Sequence, residues 1–300
     1  MNVFPSGLIA APFTPFRDDG TLRLELIPQL ADRLVEDQVK GAFIGGTTGE
    51  FSSLAIDERE RLNRTWVEAA RSRGLRALVH VGSNSIEDSR RLASHAASLE
   101  ADGISAVAPS YFRPDTVESL VGYCASIAEA APELPFFYYH IPGMTGVHLS
   151  CSSFLTQAAS RIPNLKGLKY SHNDFVEVQR CLNEFQNQFE ILWGYDEGLL
   201  AGLAFGAHGA VGSTYNYLGP HYRQIVDRFA SGDLPTARRM QAKVARLVAS
   251  FGDHGGLAAN KAVMAELGID CGPCRPPNGA VTGSQRRRLH ELLTDLGFSR

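Results

Sequence analysis

The 300-residue chain lacks the features that mark several protein classes. Its 29 Lys and Arg residues nearly balance 32 Asp and Glu residues, giving a net charge of −3, so no strong basic field favours nucleic acid or anionic membranes. No apolar run approaches the roughly 18–20 residues of a membrane span. The apolar N-terminal segment has no basic region, which argues against a signal peptide. These absences predict a cytoplasmic protein that binds neither nucleic acid nor membranes.

Disulfide and metal-binding patterns are also scarce. Five cysteines at irregular spacing suit reduced thiols better than a disulfide framework. The C-x-x-C pair of Cys271 and Cys274 is followed by Pro276 and Pro277 and has no strand before it, unlike a redox motif. The nine histidines form no H-E-x-x-H or H-x-H pair, so we expect no metal site.

What the chain does contain is a regular alternation of apolar, β-prone runs with amphipathic stretches. The alternation indicates a parallel sheet with helices outside it, and eight units separated by about 29 residues fit a closed (β/α)₈ TIM barrel. An open doubly wound sheet is the alternative, although no G-x-G-x-x-G turn follows the first strand. The predicted strands begin near Gly7, Gly41, Ala77, Gly103, Pro135, Leu165, Glu190 and Gly209.

The last part of the chain has helical periodicity and no candidate strand. Apolar residues recur at helical spacing from Met240 to Val248, from Ala258 to Leu267 and from Leu289 to Leu296. About 70 residues without strands make a thin core. We therefore predict a barrel over residues 1–232 that carries the active site, with residues 233–300 forming a C-terminal helical extension packed on it.

Polar residues gather where five of the predicted strands end. These segments are Gly45–Glu50, Tyr138–His140, Lys169–Ser171, Gly194–Glu197 and Gly212–Thr214. Active sites of (β/α)₈ barrels lie at the C-terminal ends of the strands and in the loops that follow them. The sequence therefore predicts an active-site rim at this end of the barrel.

Lys169 is the most informative residue of this rim. At the end of an apolar strand, desolvation favours a neutral, nucleophilic amine that condenses with a ketone to form a Schiff base. The alternative is a lysine that extends from the strand end into solvent. Lys166 lies three residues earlier and has no polar neighbours. Tyr139, at the end of the preceding strand, is a candidate proton carrier or a half-buried aromatic residue.

Two further segments suit substrate binding. The turn that contains Thr47 and Thr48 offers backbone N–H groups and hydroxyls to an anion such as a carboxylate, and no Lys-Ser/Thr pair makes it a P-loop. Asp196 and Glu197 are candidates to accept hydrogen bonds from substrate hydroxyls. Alternatively, these two acids complement the dipole of a following helix.

Five motifs together resemble one family, the pyruvate-dependent aldolases typified by dihydrodipicolinate synthase and N-acetylneuraminate lyase. The motifs are GGTTGE (45–50), YYHIPGMTGV (138–147), GLKYS (167–171), GYDE (194–197) and GAVGSTYNYLG (209–219). The resemblance implies that Lys169 forms the Schiff base, Tyr139 is catalytic, and Thr47 and Thr48 hold the substrate carboxylate. It also implies a subunit contact at Tyr111 and a homotetramer. The implied sugar-binding residues are Ser171, Gly194, Asp196, Glu197, Gly212 and Ser213.

One departure separates the branches of this family. The synthase branch has an arginine five residues after the catalytic tyrosine, where this chain has Met144, and a thioether cannot hold a carboxylate. The resemblance therefore favours the lyase branch, which cleaves sialic acid to N-acetylmannosamine and pyruvate without a metal or organic cofactor. Another sugar-acid aldolase or dehydratase, a synthase-type enzyme, and a non-catalytic sugar-acid-binding regulator are the alternatives.

Overall fold

A computed structural model describes residues 7–185 and 187–298. Eight parallel strands close into a barrel in chain order, with β8 pairing back to β1. Each strand begins within one residue of its predicted start, so the (β/α)₈ barrel is confirmed and the open sheet is wrong. The strands are β1 Gly7–Ala10, β2 Gly41–Ile44, β3 Arg76–His80, β4 Gly103–Val107, β5 Phe136–His140, β6 Leu165–Tyr170, β7 Glu190–Trp193 and β8 Gly209–Gly212.

Helices surround the barrel and form the C-terminal part of the chain. The described residues contain α1 Ile27–Glu36, α2 Ile56–Arg71, α3 Ile86–Ser98, α4 Val117–Ala128, α5 Pro142–Thr145, α6 Cys151–Ala158, α7 Phe175–Phe185, α8 Leu199–Ala204, α9 Tyr215–Ala230, α10 Leu234–Asp253, α11 Leu257–Glu266 and α12 Gly283–Leu296. The first six residues of the N-terminal segment, on which the argument against a signal peptide partly depends, lie outside the described residues. Within the described part, no helix combines the length and hydropathy needed to span a membrane.

The strand pleat divides the core into two layers. Alternate strand residues point into the barrel, where Phe43, Leu78, Phe137 and Leu192 form a small inner cluster with Tyr139 and four other side chains. The other strand residues pack outward against the helices. Between β6 and β7 the backbones approach closely: a Cβ atom at residue 167 would lie 1.8 Å from the carbonyl oxygen of Glu190. Glycine at position 167 therefore permits the strand pairing that places Lys169.

Side-chain caps fix where two of the outer helices begin. The Ser85 hydroxyl accepts the backbone N–H of Asp88 at 3.2 Å and begins α3, as the Ser-x-x-Asp spacing predicts. Asp115 and Glu118 have the same spacing before α4, but Thr116 caps that helix by accepting the N–H of Ser119 at 3.1 Å. The Asp115–Glu118 spacing predicts a helix capped by Asp115, which is wrong by one residue because the adjacent Thr116 is the cap.

The C-terminal helices pack directly on the barrel. Helix α10 contacts α8, α9 and the 3₁₀ turn Asp196–Gly198 that follows β7. Helix α11 is buried on all sides from Ala258 to Met264, so its side chains lie between the barrel and the rest of the extension. This arrangement supports a helical extension, and the boundary at residue 232 remains a prediction.

Candidate active site

A cavity of about 570 Å³ opens at the C-terminal end of the barrel. Met144, His148 and His172 line its outer part. The structure also brings together there ten of the residues that the sequence singled out, namely Thr47, Thr48, Tyr139, Lys169, Ser171, Gly194, Asp196, Glu197, Gly212 and Ser213.

Tyr111 lies apart from this group. Its side chain is 79% exposed and makes an edge-to-face contact with the 86% exposed ring of Phe112, with ring centroids 5.0 Å apart. The pair projects from the loop after β4 into solvent. In a single chain, Tyr111 is therefore a surface residue.

Lys169 extends from β6 into the mouth of the barrel. The residue is only 4% exposed, and its amine lies 3.9 Å from the centroid of the Phe43 ring and 4.0 Å from that of Tyr139. The amine thus lies against two aromatic faces rather than in solvent. Such faces attract a cation through their quadrupoles, which suits an amine that acquires positive charge during a reaction.

Tyr139 lies between Lys169 and the turn that contains Thr47 and Thr48, which we call the threonine turn. It is the register partner of Lys169 on β5, and its ring packs edge-on against Phe43 with centroids 5.3 Å apart. Its hydroxyl lies 3.4 Å from the Thr47 hydroxyl. A proton-carrying group therefore lies between the amine and the turn that we expect to bind a carboxylate.

The turn from Gly45 to Glu50 is held by contacts at both ends. Gly45 and Glu50 have positive φ angles of 62° and 55°, which give the loop its tight path. The His80 ring approaches the Gly45 carbonyl at 3.0 Å, and the Thr14 hydroxyl donates to the Gly49 carbonyl at 2.6 Å. These contacts fix the backbone on both sides of Thr47 and Thr48.

His80 and Arg59 are site-supporting residues that sequence reasoning missed. Both are buried, and Arg59 donates to the carbonyls of His80 at 2.8 Å and Gly82 at 2.9 Å. Burial lowers the pKa of Arg59 to about 10. Burial, with the charges of Arg59 and Lys169, lowers the pKa of His80 well below its usual range. His80 is therefore neutral, and because a carbonyl only accepts, its Nδ1–H donates to Gly45.

Asp196 is the buried acid on the opposite wall of the cavity. Its Oδ2 accepts the backbone N–H and the hydroxyl of Thr214, both at 2.7 Å. Burial raises the pKa of Asp196, and the hydrogen bonds from Thr214 oppose that shift. A Cβ atom at Gly212 would lie 2.1 Å from Oδ1 of Asp196. The absence of a side chain at residue 212 therefore makes room for the acid.

Glu197 and Ser171 complete this wall. Burial, followed by the charge of Asp196, raises the pKa of Glu197 to about 7, so its carboxyl group exchanges its proton near neutral pH. The Ser171 hydroxyl donates to the Gly194 carbonyl at 3.1 Å. A Cβ atom at Gly194 would lie 2.0 Å from that hydroxyl oxygen, so glycine is needed there for Ser171 to face the cavity.

His140 supports the site from behind. It is 2% exposed and stacks on Tyr170 with ring centroids 5.2 Å apart. Burial, and then the charge of His172, lowers the pKa of His140 to about 3. His140 is therefore a neutral packing residue beside Tyr139.

Within residues 7–185 and 187–298, no group of three or more His, Cys, Asp or Glu side chains is placed to hold a metal ion. Cys271 and Cys274 are free. Burial raises the pKa of each thiol to about 12. Neither forms the reactive thiolate that a redox pair requires.

The fold and the site define a (β/α)₈-barrel enzyme with a buried lysine at the centre of its cavity. The model of the dihydrodipicolinate synthetase family matches residues 4–296, and the chain belongs to that family. It is 43% identical over 274 residues to N-acetylneuraminate lyase A of Xenopus laevis, covering 90% of each chain.

Solved structures of similar proteins have the same fold. N-acetylneuraminate lyase of Proteus mirabilis is 38% identical, with a TM-score of 0.94 over 98% of this chain and 99% of that one. The N-acetylneuraminate lyase of Aliivibrio salmonicida, also called sialic acid aldolase, is 40% identical, with a TM-score of 0.95 over 99% of this chain and 98% of that one.

Proposed function

We propose that this protein is a carbon–carbon lyase that reversibly cleaves N-acetylneuraminate, a sialic acid, to N-acetylmannosamine and pyruvate through a Schiff base. The observation that carries the proposal is the buried pair of Lys169 and Tyr139, with the amine 4.0 Å from the tyrosine ring centroid. The similarity to N-acetylneuraminate lyases over about nine-tenths of the chain supports the choice of substrate.

The reaction begins when the open-chain sugar acid enters the cavity. Its carboxylate binds at the turn of Thr47 and Thr48, which places the C2 ketone beside Lys169. The amine adds to the ketone to give a carbinolamine, whose hydroxyl takes a proton from solvent and leaves as water, giving a cationic iminium ion. The faces of Phe43 and Tyr139 stabilise that cation, because both rings lie within about 4 Å of the nitrogen.

Cleavage follows from the iminium ion. Tyr139 removes the proton of the C4 hydroxyl, the C3–C4 bond breaks, and its electron pair moves into the iminium to form an enamine. N-acetylmannosamine leaves as the aldehyde product. Protonation of the enamine at C3 and hydrolysis release pyruvate and regenerate the Lys169 amine. Because the iminium accepts the electron pair of the broken bond, the reaction needs no metal or organic cofactor.

The wall opposite the threonine turn selects the sugar. Asp196, Glu197 and the hydroxyls of Ser171 and Ser213 face the cavity and bind the hydroxyls of a polyhydroxylated chain. Met144 lines the same cavity with a neutral thioether, which gives no positive charge for the carboxylate of a second acid substrate. This composition favours a neutral sugar aldehyde over aspartate semialdehyde, the acceptor of synthase-type relatives.

The protein works as a homotetramer in the cytoplasm. The exposed Tyr111–Phe112 pair supports subunit contact, because large exposed aromatic surfaces mark interaction sites. The free cysteines of the described chain suit a reducing compartment. Sedimentation of the wild-type protein and of a Tyr111→Ser variant measures the assembly. A wild-type monomer at working concentration would contradict the tetramer.

Incubation with N-acetylneuraminate tests the proposed reaction directly. Pyruvate release is followed with a coupled assay, with Lys169→Ala as the control for contaminating activity. We expect release by the wild type and none by the variant. Release that is equal in both proteins, or absent from a folded wild type, would overturn the proposal.

A further inference from the structure

We propose that Asn260 and Lys261, adjacent residues of α11, are positioning residues that act on opposite walls of the cavity. The proposal rests on the proposed function of those walls. Both side chains are polar in a helix segment that is otherwise buried and mostly apolar, and they are 7% and 2% exposed. A hydrophobic residue would cost less to bury at either position, so the polar groups need another explanation.

Lys261 reaches the wall that carries the threonine turn. Its amine donates to the carbonyls of Thr14 and Pro273, each at 2.8 Å, and lies 4.6 Å from the Phe16 ring centroid. It also pairs with the buried carboxylate of Glu50 at 3.4 Å. These partners come from three separate segments of the chain, so the amine ties the three segments together.

Glu50 and Thr14 connect Lys261 to the threonine turn. Glu50 ends the turn with a positive φ of 55°, and its backbone N–H donates to the Thr47 carbonyl at 3.0 Å. The Thr14 hydroxyl bonds the Gly49 carbonyl, while its own carbonyl accepts from Lys261. Lys261 is thus bonded to both groups that fix the path of the chain after Thr47.

Asn260 reaches the sugar-binding wall. Its Nδ2 donates to the Ser213 hydroxyl at 2.9 Å, and its Oδ1 accepts from the Tyr217 hydroxyl at 2.7 Å. The Ser213 hydroxyl in turn lies 3.4 Å from Oδ2 of Asp196. Since the amide gives Ser213 a donor, the serine proton is directed toward Asp196 or a bound sugar. Asn260 therefore sets the direction in which Ser213 donates.

Two neighbouring residues of one helix therefore control the spacing of the two walls. Lys261 fixes the wall that binds the carboxylate, and Asn260 fixes the wall that binds the sugar. Displacements of about 1 Å caused by a change outside the reacting groups can cost around 100-fold in rate. We expect the two residues to affect different substrates of the synthetic direction, because each acts on a different wall.

The test measures KM for pyruvate and for N-acetylmannosamine separately. Lys261→Met combined with Glu50→Gln removes both buried charges, so neither is left without its partner. Asn260→Leu removes both amide bonds at nearly constant volume. Lys243→Met is the matched control, because this lysine of the extension also donates to a carbonyl, that of Leu296 at 2.9 Å, outside the cavity. Thermal unfolding of each variant reports its stability.

We expect the Lys261/Glu50 variant to raise KM for pyruvate by roughly 10- to 100-fold, with a much smaller change for the sugar. Asn260→Leu should show the reverse, and the control should change neither. Equal changes for both substrates, tracking the loss of thermal stability, would reduce both residues to a general structural role and overturn the proposal. If the doubly substituted chain does not fold, the single variant Asn260→Leu still decides between these outcomes.

Failure of the proposed function has a different signature. A folded wild-type protein that neither cleaves sialic acid nor condenses its products would overturn the reaction, and the positioning roles with it. An active wild type whose KM values are insensitive to both substitutions would overturn the positioning roles alone.

Discussion

The amine of Lys169 lies 4.0 Å from the centroid of the Tyr139 ring, and the two residues are register partners on β5 and β6. They are 30 positions apart in the sequence and meet because adjacent parallel strands end at the same edge of the barrel. The side-chain alternation that points Tyr139 inward also points Lys169 inward. Strand pairing alone thus places the proposed nucleophile beside the proposed proton carrier.

Tyr139→Phe should slow cleavage by roughly 10²- to 10⁴-fold, the range for one positioned acid–base group. The ring would keep its contacts with Phe43 and Lys169 and lose only the hydroxyl that lies 3.4 Å from Thr47. Formation of the Schiff base should continue, so single-turnover kinetics should show normal trapping and slow release of N-acetylmannosamine. Wild-type turnover in this variant would assign the proton transfer to another group.

Glu197 should make sugar binding depend on pH near neutrality. Burial and Asp196 raise its pKa to about 7, so the group is protonated below that pH and ionised above it. An ionised acceptor contributes about 1.5–3 kcal/mol per hydrogen bond, against 0.5–1.5 for a neutral one. KM for N-acetylmannosamine should therefore fall as the pH rises through this range, while KM for pyruvate changes less.

Glu197→Gln is the matched variant, because the amide resembles the protonated acid and cannot ionise. Its KM for the sugar should be roughly five- to tenfold higher than that of the ionised wild type, because an ionised acceptor contributes about 1–1.5 kcal/mol more than a neutral one, and it should be independent of pH. The measurement is steady-state synthesis at several pH values. Equal effects on both substrates would place Glu197 in a helix-capping role only.

Gly212→Ala should displace Asp196 in the cavity wall that we expect to bind the sugar. The added methyl group would lie 2.1 Å from Oδ1 of Asp196, so the acid must move from its two 2.7 Å bonds with Thr214. We expect a loss of about 1–3 kcal/mol in the free energy of unfolding and a higher KM for the sugar. Denaturant titration and kinetics measure the two effects.

Gly122→Ala is the control for this substitution. Apart from the backbone of α4 itself, no heavy atom of the described chain lies within 4 Å of the Cβ position at Gly122. A helical Gly-to-Ala change there should stabilise the fold by up to about 1 kcal/mol and leave both KM values unchanged. Similar kinetic losses in the two variants would disprove a specific role for the space over Gly212.

Aspartate semialdehyde should be a poor acceptor for bound pyruvate. Met144 is 64% exposed at the cavity rim and presents a thioether where the synthase branch has an arginine. Met144→Arg supplies the missing positive charge and should raise condensation with this acid relative to N-acetylmannosamine. Competition between the two acceptors gives the ratio of their kcat/KM values. Efficient use of aspartate semialdehyde by the wild type would favour a synthase-type activity.

Local sequence patterns are enough to predict most of the barrel and the residues at its rim. Strands separated by about 29 residues predict the closed sheet, and residues at strand ends predict the cavity. His80 ends β3 in the same way, so the rule that indicates Lys169 and Tyr139 also applies to it. Its neutral charge state, however, depends on burial and on Arg59, which no strand-end pattern reports.

The supports of the site are harder to predict, because they join distant parts of the chain. Lys261 and Glu50 are 211 positions apart, and Asn260 and Ser213 are 47 apart. Pairing over such separations depends on how α11 packs against the barrel, which spacing does not report. The only local signal is two polar residues within the apolar stretch Ala258–Met264.

Borohydride trapping with pyruvate tests the central claim most directly. Hydride reduces the iminium to a stable secondary amine, so the wild-type protein should gain one covalently bound pyruvate unit per chain. Peptide mapping should locate it on Lys169, while Lys166 on the same strand serves as an internal control. Modification of Lys169 alone, abolished in Lys169→Ala, is the result that we predict. Labelling of another residue, or no labelling in protein that cleaves N-acetylneuraminate, would contradict the Schiff-base account.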